Sequence, residues 1–474
     1  MDGLSKKLEE LAGLVREVVT EGKVARVVTH HDADGICAGA IVHKAIVRMG
    51  GSVHTRSIKQ LESKNAGEVL GDKSDLFIFV DMGSGQLNLI SDHCNSTAIV
   101  LDHHQPKEAP GEIIHVNPHH HGIDGSREVS GAGMAYLFAK QMDEANVDLS
   151  ALAIVGAVGD IQEEDGSFVG LNKLVLEDAV GANVIEMEKD LRLFGRQTRP
   201  LYKAIEYTTE PFIPGLSGSE SSCIQFLSEL DIPLRKDGGY TLLADLNGDE
   251  RQRLVTALIL KMIEHRVPTD VAEGIIGDVY TLLEEERKTP LRDAREFATL
   301  LNGCGKHRHN GIGIAVCLGD RKEQYEKSLE MLRGHKSYIS TCYGWILKNI
   351  ERIRDEGILY SFHAGSEIDS NVIGTVAFMV LASGLLEPVK PIVAFSYTDE
   401  GDVKVSSRGK KDLVGQGLNL GRAMQYASEK MGRGDGGGHD IAAGATIEKG
   451  KEEEFLGYVM EEVGRQFHAG TGEA

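Results

Sequence analysis

The chain has 474 residues, of which 41% are hydrophobic and 26% are charged. This length exceeds one ordinary domain and predicts two or three, and the composition excludes both a disordered chain and a fibrous repeat. Acidic residues outnumber basic residues by 72 to 51, which gives a formal net charge of −21. Such a charge argues against broad coating of nucleic acid, so a polyanion would have to bind in a local groove or through metal ions.

The sequence has neither a disulfide pattern nor a membrane segment. Its six cysteines form no C-x-x-C pair, so we expect a reducing, cytoplasmic location. The charged N-terminal residues predict that there is no secretory signal. The longest uncharged run, residues 370–386, contains Ser, Asn, Gly and Thr, which predicts a buried helix and not a bilayer span.

Short apolar strands alternate with helices over roughly the first 200 residues. The spacing of Leu and Val predicts an amphipathic helix over 4–21, ended by Gly22. Strands are predicted at 24–29, 75–81 and 97–102. Further helices are predicted at 36–49, 131–145 and 149–159. This alternation predicts an α/β domain built on a doubly wound, mostly parallel sheet.

The rest of the chain has three differently patterned parts. Residues 209–222 are rich in Pro, Gly and Ser, and 247–266 have the pattern of one helix. Over 301–354 ten Lys and Arg face five Asp and Glu, which makes a candidate wall for a groove. Strand signals return at 391–397 and 403–408.

We therefore predict four segments along the chain. An α/β domain covers 1–205, and a small, mainly helical insertion covers 206–276. A connecting region with a basic segment covers 277–355, and a smaller C-terminal α/β domain covers 356–474.

Carboxylates and imidazoles follow the predicted strands, at the edge where open parallel sheets bind ligands. They stand in HHDADG (30–35), at Asp81 and in DHH (102–104), and Asp160 joins them at the end of the small-residue run GAVGD (156–160). Such a set can hold two divalent cations that activate water and clamp a phosphoryl group. Oxygen-rich sites with one or two imidazoles favour manganese or magnesium over structural zinc. Taken alone, the D-x-D pair within 30–35 can also be a pair of loop and helix-cap carboxylates.

Four motifs, in order and in spacing, resemble those of the DHH phosphoesterase superfamily. They are HHDADG (30–35), VDMGSG (80–85), LDHH (101–104) and GAVGD (156–160). Segments of the C-terminal domain resemble the DHH-associated domain of RecJ-type nucleases, at 371–381, 390–395, 405–409 and 436–444. The segments 193–201 and 279–306, together with the length, resemble the archaeal branch known as GINS-associated nuclease.

The resemblance implies a two-metal site. Asp32 and Asp81 would hold one ion. Asp34, Asp81, His103 and Asp160 would hold the other, with Asp81 as the bridge. Manganese is the expected metal and magnesium is the alternative.

Residues beside these ligands would support them. Asp102 and His104 would orient the ligands, and His104 is also assigned to the catalytic group; the other interpretation is that the two residues only cap the following turn. Several relatives carry a metal-binding His four residues before the first Asp, where this chain has Val28. The family pattern therefore assigns no role to His30, which is a candidate ligand only by its place beside Asp32.

In the C-terminal domain the resemblance implies a substrate-binding group. Arg408 would offer a cation to a substrate phosphate. Gly437 and Gly438 would allow close backbone approach, and His439 would offer a donor. Simple loop flexibility is the other interpretation of the glycine run.

Two basic groups are possible contacts to a nucleic-acid backbone. They are the pair Arg196 and Arg199 and the pair Lys306 and Arg308. Solvated surface charge is the alternative for both pairs. The three adjacent histidines at 119–121 can bind metal only if their side chains converge, and on an extended loop they diverge. We therefore predict a solvated loop there.

These features predict a metal-dependent exonuclease that hydrolyses single-stranded DNA, or RNA, to mononucleotides in DNA replication or repair. One alternative is a phosphodiesterase or phosphatase for oligoribonucleotides or small nucleotides. Another is a GINS-binding replication scaffold with weak or no catalysis. The resemblance also implies that the insertion at 206–276 docks a GINS subunit, while a structural spacer is the competing interpretation. No membrane partner is expected.

Overall fold

The chain forms two compact units, Met1–Leu332 and Arg333–Ala474, which we call the first unit and the second unit. The computed structural model describes residues 2–71, 73–106, 113–208, 211–383, 385–387, 389–398, 400–432 and 436–470. Among these residues, no helix combines the length and apolarity that crossing a membrane requires.

A five-stranded parallel sheet lies at the centre of the first unit. Its strands are β1 (Val24–Thr29), β2 (Ser52–Ser57), β3 (Leu76–Val80), β4 (Thr97–Leu101) and β5 (Ile114–Val116). Their order is β2-β1-β3-β4-β5, and every neighbouring pair is parallel. The predicted α/β domain with its parallel sheet is confirmed.

Helices cover both faces of this sheet. They are α1 (Asp2–Thr20), α2 (Ala33–Arg48), α3 (Ser63–Leu70), α4 (Leu87–His93), α5 (Gly131–Met142), α6 (Ser150–Gly159) and α7 (Gly170–Gly181). Successive residues of β3 point to opposite faces, so Ile78 packs in the core shared with α2, α5 and α6. Phe77 and Phe79 pack in a second core that includes Leu70 and Ile90. This two-sided burial explains why the strands are continuous apolar runs.

A helical module is inserted between two paired strands, β6 (Ile185–Leu191) and β9 (Ile276–Leu282), which are antiparallel. Its elements are α8 (Leu201–Glu206), α9 (Glu220–Glu229), β7 (Arg235–Lys236), β8 (Gly239–Tyr240), α10 (Gly248–Glu264) and α11 (Thr269–Glu273). Residues 209–210 of the Pro-, Gly- and Ser-rich segment lie outside the described residues.

The core of the insertion begins earlier than the predicted residue 206. Leu193, Leu201 and Ile205 are buried in one cluster with Leu254 and Leu258 of α10. Because these upstream side chains complete the module's core, the structure starts the insertion near β6.

The predicted connecting region is largely part of the first unit. It contains α12 (Ala294–Lys306), α13 (Asn310–Cys317) and α14 (Glu323–Lys348). Phe297, Leu301 and Val316 are buried in the same core as α2 and α6. The boundary between the two compact units falls within α14.

The second unit is a smaller α/β domain with a mixed sheet in the order β10-β11-β12-β13-β15-β14. Its strands are β10 (Arg354–Asp355), β11 (Tyr360–His363), β12 (Ile392–Tyr397), β13 (Val403–Arg408), β14 (Gly437–Gly438) and β15 (Ala442–Ile447). Its helices are α15 (Ile373–Ala382), α16 (Lys411–Val414), α17 (Leu420–Lys430) and α18 (Glu452–Gly470). The uncharged run at 370–386 contains the apolar helix α15, as predicted, although residue 384 lies outside the described residues.

Candidate metal centre

Neighbouring strands of the first sheet bring the predicted acidic and imidazole side chains to one edge. Asp32 follows β1, Asp81 follows β3 and His103 follows β4. Asp34 lies in the first turn of α2, and Asp160 caps the end of α6. Since β1, β3 and β4 are parallel neighbours, their carboxyl ends meet at the same edge.

One set of candidate ligands, the Asp32 group, consists of His30, Asp32 and Asp81, each with an atom within 4.8 Å of the others. Nδ1 of His30 lies 2.9 Å from Oδ2 of Asp32 and 3.8 Å from Oδ2 of Asp81. Burial acts to lower the pKa of His30, but the carboxylate of Asp32 and its neighbours raise it to about 9. The structure thus brings His30 into the set, although the family pattern assigns it no role.

A second set, the Asp34 group, consists of Asp34, His103 and Asp160, and a third, overlapping set consists of Asp81, Asp102, His103 and His104. Nε2 of His103 lies 3.8 Å from Oδ2 of Asp34 and 3.9 Å from Oδ2 of Asp160. It also lies 3.2 Å from Oδ1 of Asp81. Asp81 therefore directs one oxygen to each group, which is the placement a bridging carboxylate needs.

Asp81 lies in surroundings that fit a metal ligand. Its backbone is left-handed, with φ of 57°, a conformation that is unfavourable for a residue other than glycine. Its side chain is buried, and among the described residues no hydrogen bond reaches either carboxylate oxygen. A buried carboxylate that accepts no hydrogen bond is costly unless positive charge neutralises it. A divalent cation would supply that charge.

Two glycines leave room for the carboxylates. A Cβ atom on Gly131 would lie 2.4 Å from Oδ1 of Asp81, and one on Gly156 would lie 2.5 Å from Oδ1 of Asp34. The carboxylate of Asp34 also lies at the N-terminus of α5, where it accepts hydrogen bonds from the N–H groups of Gly131, at 2.7 Å, and Ala132, at 3.0 Å. These donors and the helix dipole fix its orientation.

The imidazole of His103 is oriented for ligation. Its Nδ1 donates to the carbonyl oxygen of Gly125 at 2.6 Å. Nε2 then faces the carboxylates, and within the described residues it has no hydrogen-bond partner. A backbone carbonyl that holds one ring nitrogen is the usual way in which the other is presented to a metal.

Crowded acidic groups shift the pKa values at the site. Burial, with the charges of Asp81 and Asp160, raises the pKa of Asp34 well above its ordinary value. Burial also raises the pKa of Asp81, to about 6. Burial acts to lower the pKa of His103, but the negative charges of Asp81 and Asp34 outweigh it and raise that pKa. These groups therefore hold protons that a bound cation would displace.

Asp102 and His104 support the loop that carries His103. Oδ1 of Asp102 accepts hydrogen bonds from Nδ1 of His104 and from N–H of His103, both at 2.8 Å, and Oδ2 accepts from N–H of Ser84 at 2.9 Å. Burial opposes ionisation, but these bonds hold the pKa of Asp102 well below its usual range. The side chain of His104 is 57% exposed, so its Nε2 is open to solvent.

Two buried amide side chains near the site, those of Gln162 and Asn117, belong to none of the sequence motifs. Nε2 of Gln162 donates to Oδ2 of Asp160 at 2.8 Å. Nδ2 of Asn117 donates to Oγ of Ser84 at 3.0 Å and to the carbonyl oxygen of His104 at 2.8 Å. The only sequence signal for Gln162 is its place two residues after Asp160.

The three adjacent histidines form a turn of 3-10 helix, Pro118–His121, and not an extended loop. The turn forms because Oδ1 of Asn117 accepts from the N–H of His119 at 3.0 Å. His120 is exposed, and its ring lies 4.9 Å from that of His115. Among the described residues, the candidate metal groups include none of the three.

The first basic pair does not offer two surface cations. Arg196 is buried, with hydrogen bonds from its guanidinium to Asp190 and, at 3.0 Å, to Glu188. This ion pair corrects the prediction of Arg196 as a nucleic-acid contact, because its charge is already neutralised inside the protein. Arg199 is partly buried, and its guanidinium lies 4.6 Å from the ring centre of Phe194.

The second basic pair lies beside the candidate metal centre. Lys306 ends α12 and Arg308 follows it, and both are exposed. A Cβ atom on Gly305 would lie only 2.0 Å from the carbonyl oxygen of His31. The exposed turn 306–309, which we call the basic turn, therefore adjoins the loop that carries Asp32.

In the second unit, the predicted substrate-binding residues meet at one end of the sheet. Arg408 pairs with Ala442 across β13 and β15, and N–H of His439 donates to the carbonyl oxygen of Ala442 at 2.9 Å. Gly438 has φ of 143°, and a Cβ there would lie 2.6 Å from that same oxygen. Position 438 therefore requires glycine because the backbone of Ala442 packs closely against it, and not because the loop must be flexible. A Cβ atom on Gly437 would have open space around it. Residues 433–435 lie outside the described residues.

Family models match three parts of the chain. The DHH family N-terminal domain matches residues 25–158, the DHH-CID domain matches 193–276 and the DHHA1 domain matches 355–465. The chain is 34% identical over 471 residues to the uncharacterized protein MJ0831 of Methanocaldococcus jannaschii, covering 97% of this chain and 98% of that protein. It is 28% identical over 219 residues to the single-stranded-DNA-specific exonuclease RecJ of Thermus thermophilus, covering 42% of this chain and 31% of that protein.

Solved structures share the fold. The crystal structure of RecJ from Thermus thermophilus in complex with Mn²⁺ aligns with a TM-score of 0.59 at 18% identity, over 97% of this chain and 55% of that one. CDC45 from Entamoeba histolytica aligns with a TM-score of 0.66 at 12% identity, over 97% and 99% of the two chains. The three matched domains, together with the sequence match to RecJ, show that the chain is a RecJ-like member of the DHH family.

Proposed function

We propose that this protein is a metal-dependent exonuclease that hydrolyses single-stranded DNA or RNA to mononucleotides, in DNA replication or repair. The observation that carries the proposal is Asp81, whose two buried carboxylate oxygens accept no hydrogen bond among the described residues and face two separate sets of ligands. Phosphodiester hydrolysis needs both an activated water and neutralised phosphate charge, and paired divalent cations supply both.

The ligand sets assign the residues that would hold the ions. His30 and Asp32 would share one cation with Asp81. Asp34 and His103, together with Asp160, would share the other with Asp81. Manganese is the first choice and magnesium the second, because oxygen-rich sites with imidazoles suit these ions.

The surrounding residues orient the ligands and move protons. Asp102 fixes both His103 and His104. The hydrogen bond to Asp102 raises the pKa of His104, which favours the imidazolium with a proton on both ring nitrogens. Its exposed Nε2 can then give a proton to the departing oxygen of the phosphodiester.

Each unit has residues that can contact a nucleic-acid backbone. The basic turn with Lys306 and Arg308 adjoins the metal centre, where it can bind backbone phosphates. In the second unit, Arg408 and His439 at one end of the sheet can hold a phosphate through charge-assisted hydrogen bonds.

Product analysis tests the proposed substrate. A long 5′-labelled single strand and a dinucleotide should be offered to the protein with Mn²⁺. We expect mononucleotides from the long strand at a rate at least equal to that from the dinucleotide. Cleavage of the dinucleotide alone would support the phosphodiesterase alternative, and cleavage of neither would support the GINS-binding scaffold.

We also propose that the insertion docks a GINS subunit, as members of the GINS-associated branch would. Support comes from α10, where Leu260 and Ile263 are 53% and 46% exposed although Leu254, Leu258 and Met262 of the same helix are buried. Exposed apolar side chains on the outer face of a packed helix are typical of a docking surface.

Surface variants test this partner better than a deletion, since removing 206–276 would expose Leu193 and Leu201 of the insertion core. The double variant Leu260→Asp/Ile263→Asp should lose co-purification with GINS and keep nuclease activity. Val180→Asp, at an exposed apolar position of α7, is the control and should keep both. Retained GINS binding by the double variant would exclude this face as the docking site.

A further inference from the structure

Gln162 and Asn172 link several segments that carry candidate metal ligands. Both side chains are buried, both are uncharged, and neither belongs to a motif noted in the sequence. Gln162 lies after α6 and Asn172 lies in α7. Their hydrogen bonds form a continuous chain that reaches each member of the Asp34 group.

Gln162 contacts two ligand positions at once. Its Nε2 donates to Oδ2 of Asp160 at 2.8 Å and to the carbonyl oxygen of Gly125 at 2.9 Å. The same carbonyl accepts the hydrogen bond from Nδ1 of His103 at 2.6 Å. One amide therefore holds the carboxylate of Asp160 directly and the imidazole of His103 through a shared acceptor.

Asn172 extends the chain to the third ligand. Its Nδ2 donates to Oε1 of Gln162 at 2.7 Å, and its Oδ1 accepts from N–H of Ser130 at 3.2 Å. Ser130 caps α5, and the next two N–H groups of that helix donate to the carboxylate of Asp34. Asn172 thus fixes the end of α5 that donates hydrogen bonds to Asp34.

The chain of bonds has only one orientation. An amide offers donors at its nitrogen and acceptors at its oxygen. Because Ser130 occupies the oxygen of Asn172, the nitrogen of Asn172 must face Gln162. The oxygen of Gln162 is occupied in turn, so its nitrogen must face Asp160 and Gly125. The donor-to-acceptor direction of these hydrogen bonds is therefore fixed, from the N-terminus of α5 to the carboxylate of Asp160.

We propose that Gln162 and Asn172 are positioning residues that align the Asp34 group as a unit and set the affinity of its cation. This inference rests on the metal-binding part of the proposed function and not on a nucleic-acid substrate. The competing explanation is that the two amides only satisfy buried polar groups of the fold.

Titration of the metal-free full-length chain with Mn²⁺ separates the two explanations. Free Mn²⁺ can be measured by electron paramagnetic resonance. Gln162→Met keeps the length of the side chain and removes its donors. We expect one Mn²⁺ site to weaken roughly 10- to 100-fold, as loss of a hydrogen bond behind a metal ligand does. The second Mn²⁺ site, assigned to the Asp32 group, should keep its affinity.

A second variant tests the chain through Asn172. Asn172→Asp keeps an acceptor for Ser130 but removes the donor to Gln162. It should weaken the same Mn²⁺ site by less than Gln162→Met does. The double variant should bind Mn²⁺ no more weakly than Gln162→Met alone, because the effects of substitutions in one hydrogen-bond network are not additive.

Gln466→Met in the second unit is the matched control. Gln466 is also a buried amide, with bonds of 2.8 Å and 3.1 Å to the backbone of Asn419. This variant should leave both Mn²⁺ sites unchanged.

Three results would overturn the inference. They are unchanged Mn²⁺ binding by Gln162→Met, equal weakening of both sites, and, if Gln162→Met does not fold, unchanged binding by Asn172→Asp. Absence of Mn²⁺ binding by the wild type would instead contradict the proposed function.

Discussion

Gly131 lies directly against the carboxylate of Asp81, with no room for a side chain between them: a Cβ atom would lie 2.4 Å from Oδ1. The N–H of the same glycine donates to Asp34. One small residue therefore touches carboxylates of both ligand groups.

Gly131→Ala should displace Asp81 and weaken Mn²⁺ binding by at least about tenfold, because ligands must keep their geometry within a few tenths of an ångström. Mn²⁺ titration and circular dichroism measure binding and folding separately. Gly67→Ala in α3 is the control, since a Cβ there meets nothing within 4 Å. Equal Mn²⁺ affinity in Gly131→Ala and wild type would contradict the ligand role of Asp81.

Arg408→Ala and His439→Ala should weaken substrate use without loss of metal. Charge-assisted hydrogen bonds of this kind contribute about 1.5–3 kcal/mol each, so roughly 10- to 100-fold losses in kcat/KM are expected. Steady-state kinetics at saturating Mn²⁺, beside Mn²⁺ titration, provides the measurement. Arg465→Ala, at an exposed ion pair with Glu461, should change neither quantity. A fall in Mn²⁺ affinity that matches the loss of activity would show that the assigned division of roles is wrong.

Metal affinity should fall as the pH is lowered through about 6. Burial raises the pKa of Asp81 to about 6, and a carboxyl group with a raised pKa is protonated below that value. A cation must displace this proton, so the apparent Kd for Mn²⁺ should rise about tenfold per pH unit for each proton displaced. Calorimetry in buffers of different ionisation enthalpy counts the released protons. A Kd that is constant between pH 5 and 6.5, with no proton release, is the result that excludes this explanation.

Ile161 should be replaceable by glycine with a gain in stability. It is 83% exposed and has φ of 57°. N–H of Gln162 donates to the carbonyl oxygen of Ala157 at 3.1 Å, which is the helix-ending pattern that normally places glycine at this position. Left-handed backbone costs a branched residue about 1–2 kcal/mol, partly offset by the entropy of glycine in the unfolded chain.

Ile161→Gly should therefore raise the free energy of unfolding by roughly 0.5–1 kcal/mol. Urea unfolding of the metal-free protein measures the change. Ile161→Ala keeps a Cβ atom and should show no comparable gain. A loss of stability in Ile161→Gly would mean that the side chain makes a stabilising contact despite its exposure.

The sequence predicted the edge of the sheet at which the candidate metal centre lies. β1, β3 and β4 are short apolar runs, each followed by acidic residues. Parallel strands place their carboxyl ends together, so convergence of Asp32, Asp81 and His103 followed from local patterns alone. The residue patterns also assigned Asp34 and Asp160 to this site, and the DHH resemblance divided the ligands between two ions.

Long-range contacts explain what the sequence did not predict. The burial of Arg196 depends on Asp190 and Glu188 of β6, which no periodic pattern pairs with it. The early start of the insertion depends on Leu193 packing against α10, more than fifty positions away in the chain. Gln162 was missed for the same reason, because its partner Gly125 belongs to a different loop.

Degradation of matched 5′-labelled and 3′-labelled DNA and RNA single strands by wild type and by Asp81→Asn tests the central claim most directly. Asn keeps the size of Asp81 and removes the charge that both cations would share. We predict that the wild type releases mononucleotides only when Mn²⁺ or Mg²⁺ is present, and that folded Asp81→Asn releases none. Near-wild-type turnover by Asp81→Asn, or degradation by the wild type in the presence of a chelator, would contradict the two-metal exonuclease.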